Sequence, residues 1–140
     1  MDLSIVIPLY NEGESINELN SSINSILNKS DIKFELIYID DGSTDNSWEN
    51  LIDISKNQSN IYACRFLKNY GKSMALSAGF NKSKGKVVIT MDADLQDDPN
   101  EIPSLYNMII KEKYDFPDNE AGNYNLSCIN LPCNNNIIRS

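Results

Sequence analysis

Asp92 and Asp94 stand two apart in the run Met91-Asp92-Ala93-Asp94-Leu95-Gln96-Asp97-Asp98-Pro99. Val87, Val88 and Ile89 lead into that run through Thr90, so the two carboxylates fall where a buried strand ends. Side chains at i and i+2 of an extended chain point to one face. Where the chain turns, both can reach one ion, or one ion and a ribose, and Gln96 adds a neutral oxygen at the same spacing. Hard oxygen donors of this kind suit a magnesium or manganese ion that keeps open positions for phosphate oxygens. The same residues would also serve as a solvated acidic turn before the helix that starts near Pro99. Asp97 and Asp98 read as the solvated, helix-capping members.

Three more constellations sit at the ends of apolar segments. Asp40 and Asp41 close Phe34 to Ile39 and precede Gly42-Ser43. A carboxylate there can accept the imide N–H of a uracil, or the N1–H and amino group of a guanine, in a charge-assisted hydrogen bond. Pro8, Tyr10, Asn11 and Glu12 stand at the end of the run Leu3 to Leu9. Tyr10 can stack on a base, and Glu12 can take a ribose hydroxyl or a donor on the base. Asn69-Tyr70-Gly71-Lys72 precedes a helical segment, where Gly71 permits a tight turn and Lys72 can meet a phosphate. Each also reads as an ordinary turn. The spacing of a Walker loop is absent, and so is the glycine pattern of a dinucleotide fold after the first strand.

The elements that must position these groups follow from periodicity. Leu3–Leu9, Phe34–Ile39, Ile61–Phe66 and Val87–Met91 are short, β-branched apolar runs that predict buried strands. Between them, Ile16, Leu19, Ile23, Ile26 and Leu27 mark one helical face, and Trp48, Leu51 and Ile52 a second, with Thr44 or Asp45 as N-cap. Ser73 to Lys82 predicts a third helix. Ile102, Leu105, Tyr106, Ile109 and Ile110 predict a fourth, entered through Pro99 and Glu101. Strand–helix alternation at these lengths implies right-handed crossovers and a mostly parallel α/β sheet with helices on both faces.

Composition narrows the function classes. The chain has 140 residues, a formal charge of −8, three cysteines and no histidine. The charge argues against nucleic acid as a partner. Cysteines of odd number without a basic and apolar leader argue against a disulfide framework, and a mixed zinc site lacks its histidine. No run approaches the roughly 18 apolar residues of a membrane span. No basic stretch followed by an apolar one opens the sequence, so the expected location is cytoplasmic. Tyr114-Asp115-Phe116 reads as the entry to a fifth strand. Pro117 to Ser140 then holds seven asparagines and only three charged residues, with no apolar period. Too little surface is there to offset ordering entropy, so residues 116–140 are expected to be a loose, disordered tail after a domain over residues 1–115.

Taken in order, S-I-V-I-P-L-Y-N-E, Y-I-D-D-G-S-T-D, N-Y-G-K-S-M-A-L-S-A-G-F and M-D-A-D-L-Q-D-D-P closely resemble family 2 glycosyltransferases, and within them the polyprenyl-phosphate branch. The resemblance covers about residues 1 to 115. It implies a GT-A-like nucleotide-binding sandwich. It implies a nucleoside pocket lined by Pro8, Tyr10, Glu12, Ile39 and Asp41, with Lys72 near the donor. Asp92 and Ala93 would contact the donor, and Asp92, Asp94 and Gln96 would surround a Mg2+ or Mn2+ ion. The implied chemistry is single displacement with inversion, from a UDP- or GDP-sugar to a polyprenyl phosphate at the cytoplasmic face of a membrane, in cell-envelope biogenesis. An acceptor phosphate is already an anion and needs little from a general base, which agrees with the lack of histidine. The alternatives are a sibling transferase with a saccharide acceptor and a chain that binds the sugar nucleotide without turning it over. After Asp115 the family pattern, a short strand and then a G-x-R-like basic segment, is missing from this sequence.

Overall fold

The sheet grows outward from β1. In the computed structural model, which describes residues 1–115 and 137–139, β1 (Leu3–Leu9) is buried along its whole length. It is followed by α1 (Ile16–Leu27), β2 (Phe34–Asp40), α2 (Ser47–Lys56), β3 (Ile61–Phe66), α3 (Lys72–Lys82), β4 (Val87–Thr90), a single 3-10 turn at Pro99–Glu101, α4 (Ile102–Asp115) and β5 (Ile137–Arg139). Among the described residues the strand order is β4-β1-β2-β3-β5. The first three pairings are parallel, and β5 lies antiparallel on β3. A parallel strand is covered on both faces, which is why β1 and β2 are mostly apolar and their inner polar residues, Ser4 and Glu35, bond to each other at 2.6 Å.

Alternation along β1 divides the core. Leu3, Ile5, Ile7 and Leu9 pack with Leu36 and Tyr38 under α1 and α2. Val6 packs on the other face with Ile37, Ile39, Cys64 and the small residues Ala75 and Ala78 of α3. Gly79 lets α3 approach that face: a Cβ added there would lie 2.2 Å from a Val6 methyl carbon. Helices therefore cover both faces, as the alternation of elements predicts.

The chain runs from β1 to β2 to β3 in one direction and then returns to place β4 on the far side of β1. Such a reversal opens a crevice beyond the carboxyl ends of the strands, the usual ligand position in open α/β sheets. The register puts Leu9 beside Asp40 and Val6 beside Thr90, so the loops after β1, β2 and β4 leave the sheet together.

Two details differ from the sequence reading. Tyr114 and Asp115 do not enter a strand; they complete the last turn of α4. The apolar period through Ile109 and Ile110 runs on into the helix formers Lys111, Glu112 and Lys113, and Tyr114 and Asp115 extend the helix. Leu105 is exposed, so the buried side of α4 starts at Ile102, with Tyr106, Ile109 and Ile110 packed against the core. Phe116 lies outside the described residues. So does the expected tail over 116–140, apart from the backbone of β5.

Candidate functional site

The loop after β1 is held open by the loop after β2. Asn11 takes a positive φ of 55° and donates its amide to Ser43 Oγ at 2.9 Å. Its side-chain oxygen accepts the Thr44 amide at 2.8 Å. The Glu12 amide donates to Ser47 Oγ, and the Gly13 amide to Asp45 Oδ2. Asn50 closes the set by donating to the Gly13 carbonyl. Burial alone would raise the Asp45 pKa, but bonds from the Ser47 hydroxyl and amide and from the Gly13 amide together hold it below the usual carboxylate value. The S-T-D-N-S segment thus serves as a frame for Tyr10-Asn11-Glu12. The sequence pattern assigns no role to Asn11, Ser43 or Ser47 and makes Thr44 or Asp45 the helix cap. Asn46 occupies that N-cap position, without a side-chain cap bond.

The two aspartates that end β2 part company. Asp40 is fully buried; one oxygen accepts the Ser43 amide at 2.8 Å and the other lies 3.3 Å from Arg65 Nε. Burial raises its pKa, and the Ser43 bonds and Arg65 oppose that shift. Arg65 also donates to the Ser43 carbonyl at 2.7 Å and stacks over Trp48. Asp40 therefore braces the turn. Asp41 faces the crevice, and its two oxygens accept the amides of Tyr70 at 2.7 Å and Gly71 at 2.8 Å.

The acidic loop after β4 is tied at both ends. The Met91 amide donates to the Val6 carbonyl, and Ser15 Oγ donates to the Ala93 carbonyl at 2.6 Å. Asp97 turns back to accept the Asp92 amide, while Asp98 accepts the Asn100 amide and caps the 3-10 turn. Only Asp98 has the expected capping role. Leu95 holds a φ of 65°, a left-handed conformation that costs a non-glycine residue on the order of 1–2 kcal/mol. That strain makes the sharp reversal between Asp94 and Gln96, where Asp94 Oδ1 accepts the Gln96 amide.

These three loops and the start of α3 enclose one open cleft of about 410 Å³. Its floor is Pro8, Leu9, Ala75 and Ala93; its polar wall is Glu12, Asp41, Asn69, Lys72, Asp92 and Asp94; Tyr10 and Gly71 complete it. Lys72 Nζ lies 2.6 Å from Asp92 Oδ1 and 2.8 Å from Asp92 Oδ2. Pro8, Tyr10, Glu12, Asp41, Lys72, Asp92, Ala93 and Asp94, all named from sequence, line this single space. Two others do not. Ile39 is fully buried among Val6, Ile37 and Cys64, and Gln96 is an exposed residue outside the lining. Asn69 and Ala75 line the cleft without having been singled out for it.

The donor chemistry suits a hard divalent cation. Asp92 and Asp94 present carboxylates to one cavity, and a cation, the Lys72 ammonium, already sits against both oxygens of Asp92. Among the described residues no group of three or more His, Cys, Asp or Glu is placed to hold a metal. Two carboxylates plus phosphate and water oxygens is the arrangement magnesium commonly takes.

The fold is a GT-A-type α/β sandwich. The chain belongs to glycosyl transferase family 2, whose profile matches residues 4–124. It is 46% identical over 104 residues to an undecaprenyl-phosphate 4-deoxy-4-formamido-L-arabinose transferase of Pseudomonas fluorescens (strain SBW25), covering 74% of this chain and 30% of that protein. The chain thus spans about a third of the length of the curated relatives it matches. Among solved structures, S. aureus TarS 1-349 in complex with UDP superposes with a TM-score of 0.64 at 24% identity, over 81% of this chain and 33% of that one. The mannosyltransferase PcManGT from Pyrobaculum calidifontis, in complex with GDP-Man and Mn2+, superposes with a TM-score of 0.62 at 21% identity, over 76% and 31%. Among the described residues no helix is long and apolar enough to cross a membrane.

Proposed function

We propose that this chain forms the donor-binding part of a glycosyltransferase that moves a sugar from a nucleotide diphosphate to a polyprenyl phosphate. The observation that carries the reading is the convergence of Tyr10, Glu12, Asp41, Lys72, Asp92 and Asp94, from four separate loops, on one cleft. Relatedness to an undecaprenyl-phosphate transferase supports the choice of acceptor.

The residues divide the donor between them. Pro8, Tyr10, Glu12 and Asp41 form the nucleoside end, where the half-exposed Tyr10 ring offers a stacking face and Glu12 an acceptor for a ribose hydroxyl. Lys72 meets the diphosphate with its ammonium group. Asp92 and Asp94 would hold Mg2+ or Mn2+, and Ala93 sits between them at the floor. When bound, the ion supplies charge neutralisation at the departing diphosphate. The acceptor phosphate oxygen attacks the anomeric carbon opposite the diphosphate and inverts it, and no side chain need remove a proton. With such an acceptor the proposed site of action is the cytoplasmic face of a membrane, in cell-envelope synthesis.

Two measurements test the reading. Calorimetry with UDP-glucose and GDP-mannose, with and without manganese, should give binding that depends on the metal; its absence for both would remove the donor assignment. Radiolabelled transfer to a short polyprenyl phosphate or to an oligosaccharide then separates lipid-phosphate acceptor, saccharide acceptor and binding without turnover.

A further inference from the structure

We propose that Asp41 and Gly42 together template the turn over residues 68–71 and thereby set Lys72 at the cleft. Both Asp41 oxygens are engaged by successive backbone amides, Tyr70 at 2.7 Å and Gly71 at 2.8 Å, and Asp41 is 4% exposed. Gly42 acts at the same place by a steric route. Its φ is +75°, and a Cβ there would lie 2.5 Å from the Lys68 carbonyl carbon and 2.8 Å from the Asn69 nitrogen. The backbone of 68–69 therefore rests directly on a residue that must lack a side chain. Tyr70 is further steadied edge-on against Phe66 at 5.6 Å between ring centroids.

The turn so held ends in Gly71, the N-cap of α3, at a φ of 96° with open space around it. Lys72 is the next residue, and its ammonium reaches Asp92 across the cleft. Asp41 is thus a positioning residue: it acts on the diphosphate end of the site through Lys72. This consequence for ligands rests on the nucleotide reading above. The templating itself does not.

The test uses the full chain with Asp41→Asn, which keeps the shape but puts an N–H₂ opposite one of the two amides. Gly42→Ala is the second variant; it leaves the carboxylate in place and carries the same test if the first does not fold. Hydrogen exchange at the Tyr70 and Gly71 amides is read alongside calorimetry with UDP and with inorganic pyrophosphate, both with magnesium. Exchange at the two amides should accelerate by about tenfold to a hundredfold, the loss expected for hydrogen bonds to a charged group. UDP and pyrophosphate should lose affinity by similar factors. Unchanged exchange overturns the proposal. Loss confined to UDP overturns it in favour of direct base recognition. A lowered thermal midpoint with pyrophosphate affinity intact overturns it in favour of a merely structural role. If the unaltered chain binds neither probe, the nucleotide reading falls and exchange alone decides the templating.

Discussion

Replacing Lys72 by methionine removes one positive charge while keeping an unbranched stem of similar reach. Its partner in the structure is Asp92, at 2.6 Å and 2.8 Å, with the two side chains 59% and 46% exposed. A pair that open to solvent contributes about 0.2–1 kcal/mol, so Lys72→Met should barely move the thermal midpoint. The donor should feel the change far more. Hydrogen bonds from a charged group are worth about 1.5–3 kcal/mol, which makes the expected loss of UDP affinity about ten- to hundredfold. Manganese alone should respond in the opposite sense. Freed of its ammonium neighbour, Asp92 should bind the ion as well as before or up to about fivefold tighter, the limit set by the strength of the exposed pair. Calorimetry with UDP and electron paramagnetic resonance with manganese alone read the two effects on the same preparation. A folded Lys72→Met variant with unaltered UDP affinity would refute the phosphate role of Lys72. Weaker manganese binding would show that the ammonium assists the ion instead of competing with it.

Asp94→Ala should abolish metal-dependent UDP or GDP binding with little change in thermal stability, since Asp94 is exposed and its hydrogen bond is to the Gln96 amide; unchanged affinity would remove Asp94 from the metal site. Asp45 tests the frame through pH. Its pKa is held down in the folded chain, so its contribution to stability is present above the usual carboxylate value and disappears as pH falls through the depressed one. Asp45→Asn should therefore melt lower than the unaltered chain at neutral pH, and the gap should close in acid; thermal melts across that range that keep a constant gap would sink the assignment. Gly79→Ala drives a methyl group to 2.2 Å from a Val6 methyl carbon, and overpacking of that kind typically costs about 1–3 kcal/mol, measurable by urea denaturation.

The alternating elements and the positions of the four motifs at strand ends were legible in the sequence because they depend on local periodicity. An apolar run of seven residues and a face repeating at three and four leave few other structures open. The convergence of motifs follows almost as directly, since parallel strands in register must release their loops on one side. What a neighbour across the sheet decides was not legible. Ile39, expected at the nucleoside pocket, alternates onto the face with Val6 and Ile37 and is sealed beneath α3. Asp40 and Asp41 are chemically identical and adjacent, yet the turn after β2 buries one against Arg65 and points the other at the 68–71 turn. Asn11, Ser43, Asp45 and Ser47 look like generic turn residues in one dimension. They become a frame only because Leu9 pairs with Asp40, which brings two loops more than thirty residues apart within hydrogen-bond reach. Sequence alone thus determined the four parallel strands, the helices between them and the end of the sheet at which the chemistry gathers. Tertiary structure decided which carboxylate faces the cleft, which one carries the loops, and that Lys72 meets Asp92, because those choices depend on contacts between segments whose separation along the chain contains no information about their distance in space.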